Sequence, residues 1–306
     1  MAHPDARAPT RRLGLVAPSG YLPDAAVADR CARWFAARGW QVQAGETIFA
    51  RELRFAGSDE LRAAELQAFA SDPRLDVVMM GRGGYGLTRL LDRLDFAAIR
   101  AAERVLVGYS DFTAFSLAYL ARAGGVSFQG PDVNDFGRAT PEADTVEQFF
   151  ATLAQPRHAL EFACEPVELG ARGRLWGGNL AMVCALLATP YFPRVRGGIL
   201  FLEDVNEPAY KVERMLLQLH QAGVLDRQAA VLLGAFEPMA VMPTDNGYGL
   251  ADALARVRAA TRTPILTGLP FGHVACKATL PVGARARLAV AAGRARLEFW
   301  DYPWLG

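Results

Sequence analysis

Residues 77–86 read Val-Val-Met-Met-Gly-Arg-Gly-Gly-Tyr-Gly, a short apolar run that leads directly into a glycine-rich turn. Consecutive apolar residues bounded by a turn are typical of a strand buried on both faces. The same pattern occurs at Leu13 to Ala17, before the turn Pro18-Ser19-Gly20, and again at Val105 to Val107. Amphipathic stretches separate these runs, so the first half of the chain predicts an α/β fold with a parallel sheet covered by helices.

Three helices are predicted between or after these strands. Asp24 to Arg38 carries apolar residues at helical spacing and ends before Gly39, which is a suitable C-terminal cap. Ser58 is placed to cap a second helix through Ala70. The third is expected from Phe112 to Ala123.

The periodicity weakens around Gln155 to Gly173, where prolines and glycines gather. We therefore expect the connection between two domains there, with residues 11–155 in the first and 172–306 in the second. The second domain is predicted to be smaller and of mixed α/β class. Its expected elements are strands at Ile199 to Leu202, Val231 to Leu233 and Ile265, a helix from Tyr210 to Ala222 stopped by Gly223, and a hairpin of 286–290 with 295–299 across Gly293.

The composition argues against several classes of partner. The chain has 306 residues, is 52% hydrophobic, and carries 33 basic and 32 acidic residues for a net charge of +1. A nearly balanced charge predicts neither a nucleic acid nor an anionic membrane as partner. A homodimer is left open.

The sequence predicts no export signal. Residues 1–10 lack the apolar region of a secretory signal, and no apolar run approaches the roughly 20 residues of a membrane span. The four cysteines, at positions 31, 164, 184 and 276, form no Cys-x-x-Cys pair. We therefore expect reduced thiols, a cytoplasmic location, and neither a metal nor a cofactor.

Only four histidines are present, which makes each of them informative as a general base. His3 lies in the polar N-terminal tail, and His158 falls in the expected connection. His220 ends a predicted helix, where its charge would complement the helix C-terminus. His273 follows Leu-Pro-Phe-Gly in a turn-rich segment after a predicted strand, which is where rigid scaffolds display catalytic groups.

Ser110 lies in Gly-Tyr-Ser-Asp-Phe at residues 108–112, where a strand gives way to a helix. The segment lacks the Gly-x-Ser-x-Gly spacing of a nucleophile elbow, and a helix N-cap is the ordinary role for such a serine. The two roles are compatible, because a helix N-terminus favours a developing negative charge.

The turn at residues 81–86 matches Gly-x-Gly-x-x-Gly and so permits a dinucleotide-binding interpretation, with Asp111 holding a ribose hydroxyl. The match is weak, since such a turn normally follows the first strand. The alternative is that glycines let the backbone approach a substrate and direct N–H groups at it, as an oxyanion site requires.

Three carboxylates, Glu203, Asp204 and Glu207, follow an apolar strand. One of them could orient an imidazole and stabilise the imidazolium, but periodicity does not select which. No histidine lies at metal-ligand spacing from these acids.

In chain order, a series of segments resembles the L,D-carboxypeptidase family of muramoyl-tetrapeptide carboxypeptidases, which includes microcin-immunity relatives. The segments are Val16 to Gly20, Phe55 to Asp59, Gly81 to Gly86, Gly108 to Asp111, Gly177 to Leu180, Phe201 to Asp204, Gly268 to His273, and Lys277 to Gly283. They span nearly the whole chain, and their order is more specific than any one of them.

The resemblance implies a flavodoxin-like N-terminal domain, a smaller C-terminal α/β domain, and a serine peptidase site at their junction. Ser110 would be the nucleophile, Glu203 the acid and His273 the base. The substrate would be a small peptide, the muramyl tetrapeptide, which loses its terminal D-alanine during peptidoglycan recycling. A second activity, cleavage of aminoacyl-nucleotide amides, is known among the microcin-immunity relatives.

Backbone N–H groups of Asp111, Gly83 and Gly84 are candidates for the oxyanion site. Candidates for substrate contact are Arg82, Trp176 and Asn179, and a guanidinium can pair with a carboxylate in bidentate geometry. Two departures from the family pattern are visible. They are Gln129 where the family often has histidine, which we expect to alter the pocket wall, and Ala188 where it often has glycine.

Overall fold

The computed structural model describes residues 10–237 and 243–306, so His3 lies outside the described residues. Its strands are β1 (Arg12–Val16), β2 (Gln41–Ala44), β3 (Val77–Met80), β4 (Val105–Gly108), β5 (Ser127–Gln129), β6 (Arg157–Ala163), β7 (Leu169–Asn179), β8 (Ile199–Val205), β9 (Ala230–Glu237), β10 (Ile265–Leu266), β11 (Leu280–Val282), β12 (Arg285–Ala291) and β13 (Arg294–Trp300).

The α-helices are α1 (Ala26–Ala36), α2 (Asp59–Ala70), α3 (Phe96–Ala102), α4 (Phe112–Ala123), α5 (Val133–Phe136), α6 (Ala143–Leu153), α7 (Leu180–Ala185), α8 (Ala209–Gln221) and α9 (Leu250–Ala260). None of the helices in the described ranges has the length and hydrophobicity needed to cross a bilayer.

The first sheet has the strand order β11-β5-β4-β3-β1-β2. Strands β1 to β5 are parallel, and the edge strand β11 is antiparallel to β5. The order 2-1-3-4-5 of the parallel strands is the flavodoxin-like one, so this expectation is confirmed. Strands β3 and β4 are buried along their whole length, which explains their continuous apolar runs.

The second sheet has the order β10-β9-β8-β7-β12-β13-β6 and is mixed. Strands β7 to β10 run parallel, whereas β7, β12, β13 and β6 pair antiparallel. The predicted C-terminal hairpin is present as β12 and β13, which alternate between buried and exposed residues, as expected for strands with one solvated face.

The segment from Gln155 to Gly173 is not the irregular connection that its composition suggested. It contains all of β6 and the first residues of β7, which pair with β13 and β12. His158 lies on β6, where its ring contacts Phe299 at 5.7 Å between centroids and its Nε2 lies 3.2 Å from Gln148 Oε1. Long-range pairing therefore overrides the weak local strand propensity of this segment.

Several local predictions are confirmed. Helix α4 has the predicted bounds, and Ser58 caps α2 by accepting a hydrogen bond from the Leu61 N–H at 3.2 Å. Helix α8 ends close to the predicted stop, and Gly223 follows with φ of 67°. A position with φ in this left-handed region favours glycine, so a glycine in the sequence indicates where the helix ends.

Candidate active site

Ser110 lies in the turn between β4 and α4, with φ of 61°. A non-glycine residue in the left-handed region is strained, and a strand-to-helix turn with this strain exposes its central side chain. The helix N-cap is Asp111 rather than Ser110, and within the described ranges the Ser110 hydroxyl has no hydrogen-bond partner. The N-cap interpretation of Ser110 is therefore wrong, and its Oγ is free for chemistry.

The glycine-rich turn after β3 lies directly against Ser110. A Cβ added to Gly83 would be 2.7 Å from Ser110 Cβ and 2.8 Å from Ser110 Oγ, and 3.4 Å from the Asp111 nitrogen. Only glycine permits this approach. The turn is held in place because the Gly20 N–H donates to the Gly83 carbonyl at 3.2 Å.

The Asp111 side chain connects three loops at this end of the first sheet. It is 1% exposed, and its Oδ2 accepts hydrogen bonds from Ser19 Oγ at 2.6 Å and from the Leu87 N–H at 2.9 Å. Burial raises the pKa of this carboxyl group. The carboxyl group is thus engaged inside the protein and not available to a ribose.

The dinucleotide interpretation loses support for a second reason. The turn at residues 81–86 leads into short 3-10 helices at Leu87–Arg89 and Leu91–Arg93. A pyrophosphate site requires the N-terminus of an α-helix at this point.

Arg62 is a fully buried cation that sequence reasoning did not select. Its guanidinium donates to the carbonyl oxygens of Pro18 and Gly86, and its Nε donates to Gly57 at 3.2 Å. It also pairs with Asp59. The carbonyls belong to the loops after β1, before α2 and after β3, so Arg62 fixes the loops around Ser110. A charged residue at a helix start gives no sequence signal for such a role.

Glu203 and His273 form a direct pair. His273 Nδ1 lies 2.7 Å from Glu203 Oε2, and the Glu203 side chain is 0% exposed while that of His273 is 20% exposed. Because an ionised carboxylate can only accept, Nδ1 carries the proton and Nε2 is left as the acceptor. This is the tautomer that a general base requires.

Asn179 and Asp204 hold Glu203 from the other side. Asn179 Nδ2 donates to Glu203 Oε1 at 3.2 Å and to Asp204 Oδ1 at 2.9 Å, and its Oδ1 accepts from the Met182 N–H. Asp204 Oδ2 accepts from the Ala181 N–H at 2.9 Å. Burial raises the pKa of Asp204 to about 6.

These contacts assign different surroundings to the three acids that the sequence left open. Glu203 contacts the imidazole, Asp204 contacts Asn179, and Glu207 lies 3.6 Å from the Lys211 ammonium in a partly exposed ion pair.

Tyr109 joins the serine turn to the histidine loop. Its ring contacts the His273 imidazole edge-on, with 5.1 Å between centroids, and it directly precedes Ser110 in the chain. Through Tyr109, the structure therefore places the serine turn after β4 beside the His273–Glu203 pair, which comes from the loop after β10 and from β8.

The three candidates for substrate contact differ in accessibility. Trp176 is 0% exposed and donates from Nε1 to Gln228 at 3.0 Å, and Asn179 is 6% exposed with its amide fully engaged. Both side chains are therefore buried in this structure, and their contact with a substrate stays a prediction. Arg82 is partly exposed beside the glycine turn and donates to the Tyr21 carbonyl at 3.1 Å.

Of the two departures from the family pattern, Gln129 lies in the core and Ala188 lines a surface cavity beside Trp176. Gln129 is 0% exposed, and its Nε2 donates to Ser116 Oγ at 2.9 Å, so the expected effect on a pocket wall is wrong. Ala188 is exposed with φ of 61°, a conformation that explains why glycine is favoured there.

Comparisons with known proteins agree with this architecture. The family model for the LD-carboxypeptidase N-terminal domain matches residues 13–130, and that for the LD-carboxypeptidase C-terminal domain matches residues 172–288. A putative carboxypeptidase of Streptomyces coelicolor is 36% identical, with 97% of this chain and 96% of the relative covered.

A solved carboxypeptidase structure is also similar to this chain over nearly its whole length. A muramoyltetrapeptide carboxypeptidase from Oxalobacter formigenes superposes with a TM-score of 0.90 at 40% identity, covering 95% of this chain and 99% of the other. The microcin C7 self-immunity protein MccF of Escherichia coli is more distant, at 25% identity over 81% of each chain. Together, the two domain matches and the full-length similarity show that this chain belongs to the LD-carboxypeptidase family.

Proposed function

We propose that this protein is a serine-type L,D-carboxypeptidase that removes the terminal D-alanine from a muramyl tetrapeptide. The observation that carries the proposal is the buried Glu203 carboxylate 2.7 Å from His273 Nδ1, beside a strained serine turn. The relative from Oxalobacter formigenes, a muramoyltetrapeptide carboxypeptidase, supports the substrate class.

In the proposed reaction, Ser110 Oγ attacks the carbonyl carbon of the scissile bond, and His273 Nε2 accepts the hydroxyl proton. Glu203 stabilises the imidazolium that forms. Collapse of the tetrahedral intermediate breaks the C–N bond, and His273 donates its proton to the leaving amine. Water then attacks the acyl-enzyme with His273 again as base, and Ser110 regains its proton when the acid leaves.

Backbone N–H groups beside Ser110 are proposed to bind the oxyanion. Asp111 N lies 3.4 Å from the position of a Gly83 Cβ, which puts the two backbone segments side by side. Within residues 10–237 and 243–306, the N–H groups of Asp111, Gly83 and Gly84 donate to no other protein atom. Backbone donors that are free beside the nucleophile are what a developing oxyanion requires.

The substrate carboxylate is proposed to bind near Arg82. Two further guanidiniums lie at the same rim: Arg51 is 4.1 Å from the centroid of the Tyr21 ring, and Arg54 is 5.7 Å from that of Tyr85. In the part of the chain that the structure describes, none of the three arginines has an ion-pair partner. A carboxylate arriving there would find donors without displacing an acid.

The test compares three peptides: L-Ala-γ-D-Glu-meso-diaminopimelate-D-Ala, its terminal L-alanine isomer, and its C-terminal amide. We expect release of D-alanine from the first and much slower cleavage of the others. Inverting the α-carbon exchanges methyl and hydrogen, which misplaces the reacting carbonyl. The amide leaves the guanidinium that would face the carboxylate without its anionic partner, at a cost of about 1 to 3 kcal/mol.

Mass spectrometry of the three reactions reads out the result, and Ser110→Ala protein is the control for contaminating peptidases. Comparable cleavage of all three peptides would reject the carboxypeptidase proposal while leaving a serine hydrolase. An unchanged rate in Ser110→Ala would reject the nucleophile.

A second activity, cleavage of an aminoacyl-nucleotide amide, is favoured by one observation, the similarity to MccF. Aminoacyl sulfamoyl adenosine added to the same assay separates the two, since a nucleotide-directed enzyme would cleave it faster than the tetrapeptide. We place either reaction in the cytoplasm, in keeping with four unpaired cysteines.

A further inference from the structure

A buried ion pair lies behind the candidate base, and the reaction outlined above does not use it. Lys277 is 1% exposed, and its Nζ lies 2.9 Å from both carboxylate oxygens of Asp135, which is 5% exposed. Desolvating two charges offsets much of their attraction, so a buried pair of this kind is weak evidence for a stabilising role.

The pair connects the two halves of the protein. Asp135 belongs to α5, which follows the fifth strand of the first sheet, whereas Lys277 follows the histidine loop that leaves β10 in the second sheet. Beyond Lys277 the chain enters β11 and pairs with β5. The Lys277 side chain is therefore one point at which the loop bearing His273 is fixed to the half that bears Ser110. Thr145 of α6 is another, because its hydroxyl donates to the Ala275 carbonyl and accepts from the Lys277 N–H.

The Tyr109 ring lies between the Lys277 ammonium and the His273 imidazole and contacts both. Lys277 Nζ lies 4.0 Å from the centroid of the Tyr109 ring, and that centroid lies 5.1 Å from the centroid of the His273 imidazole. A cation over one ring prefers the ring face, and an edge-on aromatic contact fixes the angle of its partner. Glu203 holds the imidazole at one atom only, which leaves rotation about that hydrogen bond to be restricted by Tyr109.

We propose that Lys277 and Asp135 are positioning residues that, through the Tyr109 ring, hold the His273 imidazole in the orientation needed to accept the proton from Ser110. The proposal depends on the proposed function only for the identity of the reaction. The orientation of His273 itself is measurable without any substrate.

Four charged groups lie around the imidazole and the Tyr109 ring. Glu203 contacts the imidazole from β8, and Lys277 lies over the Tyr109 ring from the segment that follows the histidine loop. Asp135 of α5 pairs with Lys277, and Asp132 is the N-cap of the same helix. The ammonium is within about 9 Å of the imidazole centroid, because the two centroid distances are 4.0 Å and 5.1 Å.

Two further charges lie next to this set. Arg138 is 3.4 Å from Asp135 and exposed, and Asp204 follows Glu203 and bonds to Asn179. Both are unchanged in the variants below.

The first variants are Lys277→Met and the double variant Lys277→Met with Asp135→Asn. Lys277→Met keeps an unbranched side chain one atom shorter but leaves Asp135 buried without a cation, so we expect both lower stability and a kcat reduced about 10- to 100-fold, with KM changed less than threefold. The double variant is neutral and should recover the stability. Its kcat should stay at least tenfold reduced, because Met and Asn make neither the ion pair nor the contact with Tyr109.

The second pair of variants tests the ring. Tyr109→Phe keeps the aromatic contact and should keep kcat within threefold of wild type. Tyr109→Leu loses the contact, and its kcat should fall as much as that of Lys277→Met. These substitutions leave the buried charges paired, so they remain informative if Lys277→Met does not fold.

The readout that needs no substrate is the nitrogen-15 NMR spectrum of the histidine side chains, with His273→Ala to assign the signal. We expect the His273 Nδ1–H signal, which reports the hydrogen bond to Glu203, to move or broaden in both Lys277→Met and the double variant, because the ring is no longer held in one orientation. A double variant with both wild-type stability and wild-type kcat would show that the pair is only structural. An unchanged His273 signal in the folded double variant, or equal losses of kcat in Tyr109→Phe and Tyr109→Leu, would also overturn the proposal. If the wild-type protein cleaves no tetrapeptide, the His273 signal still decides it.

Discussion

Replacing Glu203 by glutamine tests the candidate site at its most constrained point. The Glu203 side chain is fully buried, and its two oxygens accept from two different donors: Oε2 from His273 Nδ1 at 2.7 Å and Oε1 from Asn179 Nδ2 at 3.2 Å. Glutamine has the same shape but only one oxygen. Glutamine therefore accepts a hydrogen bond from only one of these donors and presents its own NH₂ group to the other.

Either orientation of the glutamine amide damages the base. If the amide oxygen faces Asn179, its NH₂ group faces His273 and forces the proton onto Nε2, so the imidazole no longer accepts from serine. If the oxygen faces His273, two NH₂ groups meet, because Asn179 is held by Asp204 and by the Met182 N–H. In both cases the negative charge that stabilises the imidazolium is lost, and we expect kcat to fall about 10⁴-fold.

The assay measures kcat on the tetrapeptide together with thermal unfolding. With its oxygen facing Asn179, a glutamine of equal volume keeps both neighbours hydrogen-bonded, so we expect the fold to persist with a modest change in melting temperature beside the large loss in kcat. Glu161→Gln is the matched control, since Glu161 is an exposed residue of β6 paired with Arg296. A folded Glu203→Gln protein with kcat within tenfold of wild type would refute the role of Glu203.

Three further predictions follow from single residues. Gly83→Ala would place a Cβ 2.7 Å from Ser110 Cβ, so we expect kcat to fall about 100-fold from displacement of the nucleophile, whereas Gly170→Ala, with no atom within 4 Å, should have no effect on kcat. Ala188→Gly relieves a φ of 61° and should raise the free energy of unfolding by about 0.5 to 1 kcal/mol in urea denaturation, and a decrease would contradict the strain argument. Burial and the Asp135 carboxylate raise the pKa of Asp132 to about 7, so its folded form holds a proton more tightly than the unfolded chain and wild-type stability is penalised as the pH rises from about 4 to 7. Asp132→Asn should therefore gain stability relative to wild type across that window, by about 1 to 3 kcal/mol, and a difference independent of pH in urea titrations would disprove it.

The fold was predictable where local patterns and tertiary structure agree. The strands of the first sheet are continuous apolar runs, and α4 has the predicted bounds because its helical sequence is flanked by a turn and by Gly124 with φ of 62°. Strand β7 was missed because its first half, Leu-Gly-Ala-Arg-Gly-Arg, has poor strand propensity and is stabilised by pairing with β12. Strand β11 contains Pro281, which is tolerated at the edge of a sheet.

The site was predictable in its residue types but not in its contacts. His273 and Ser110 could be selected from the scarcity of histidine and from the strand-end position. Choosing Glu203 on the residues alone was not possible, because a β-bulge between Leu202 and Asp204 interrupts the pairing and both acids become buried. The role of Trp176 could not be read from the sequence, because a tryptophan in a glycine-rich segment gives the same pattern whether it lines a pocket or fills the core.

The path of the chain explains how these residues meet. The histidine loop begins at β10 in the second sheet and ends at β11 in the first, and between them the Ala235 N–H binds the Phe271 carbonyl while Lys277 binds Asp135. The first contact belongs to the half that carries Glu203, and the second belongs to the half that carries Ser110. Because the loop is tied at both ends to different sheets, any movement of one sheet relative to the other changes the position of His273 between its two partners. The proton-accepting geometry of His273 therefore depends on how the two sheets are docked as well as on local hydrogen bonds, and this is the physical reason to look for positioning residues at the contact between the halves.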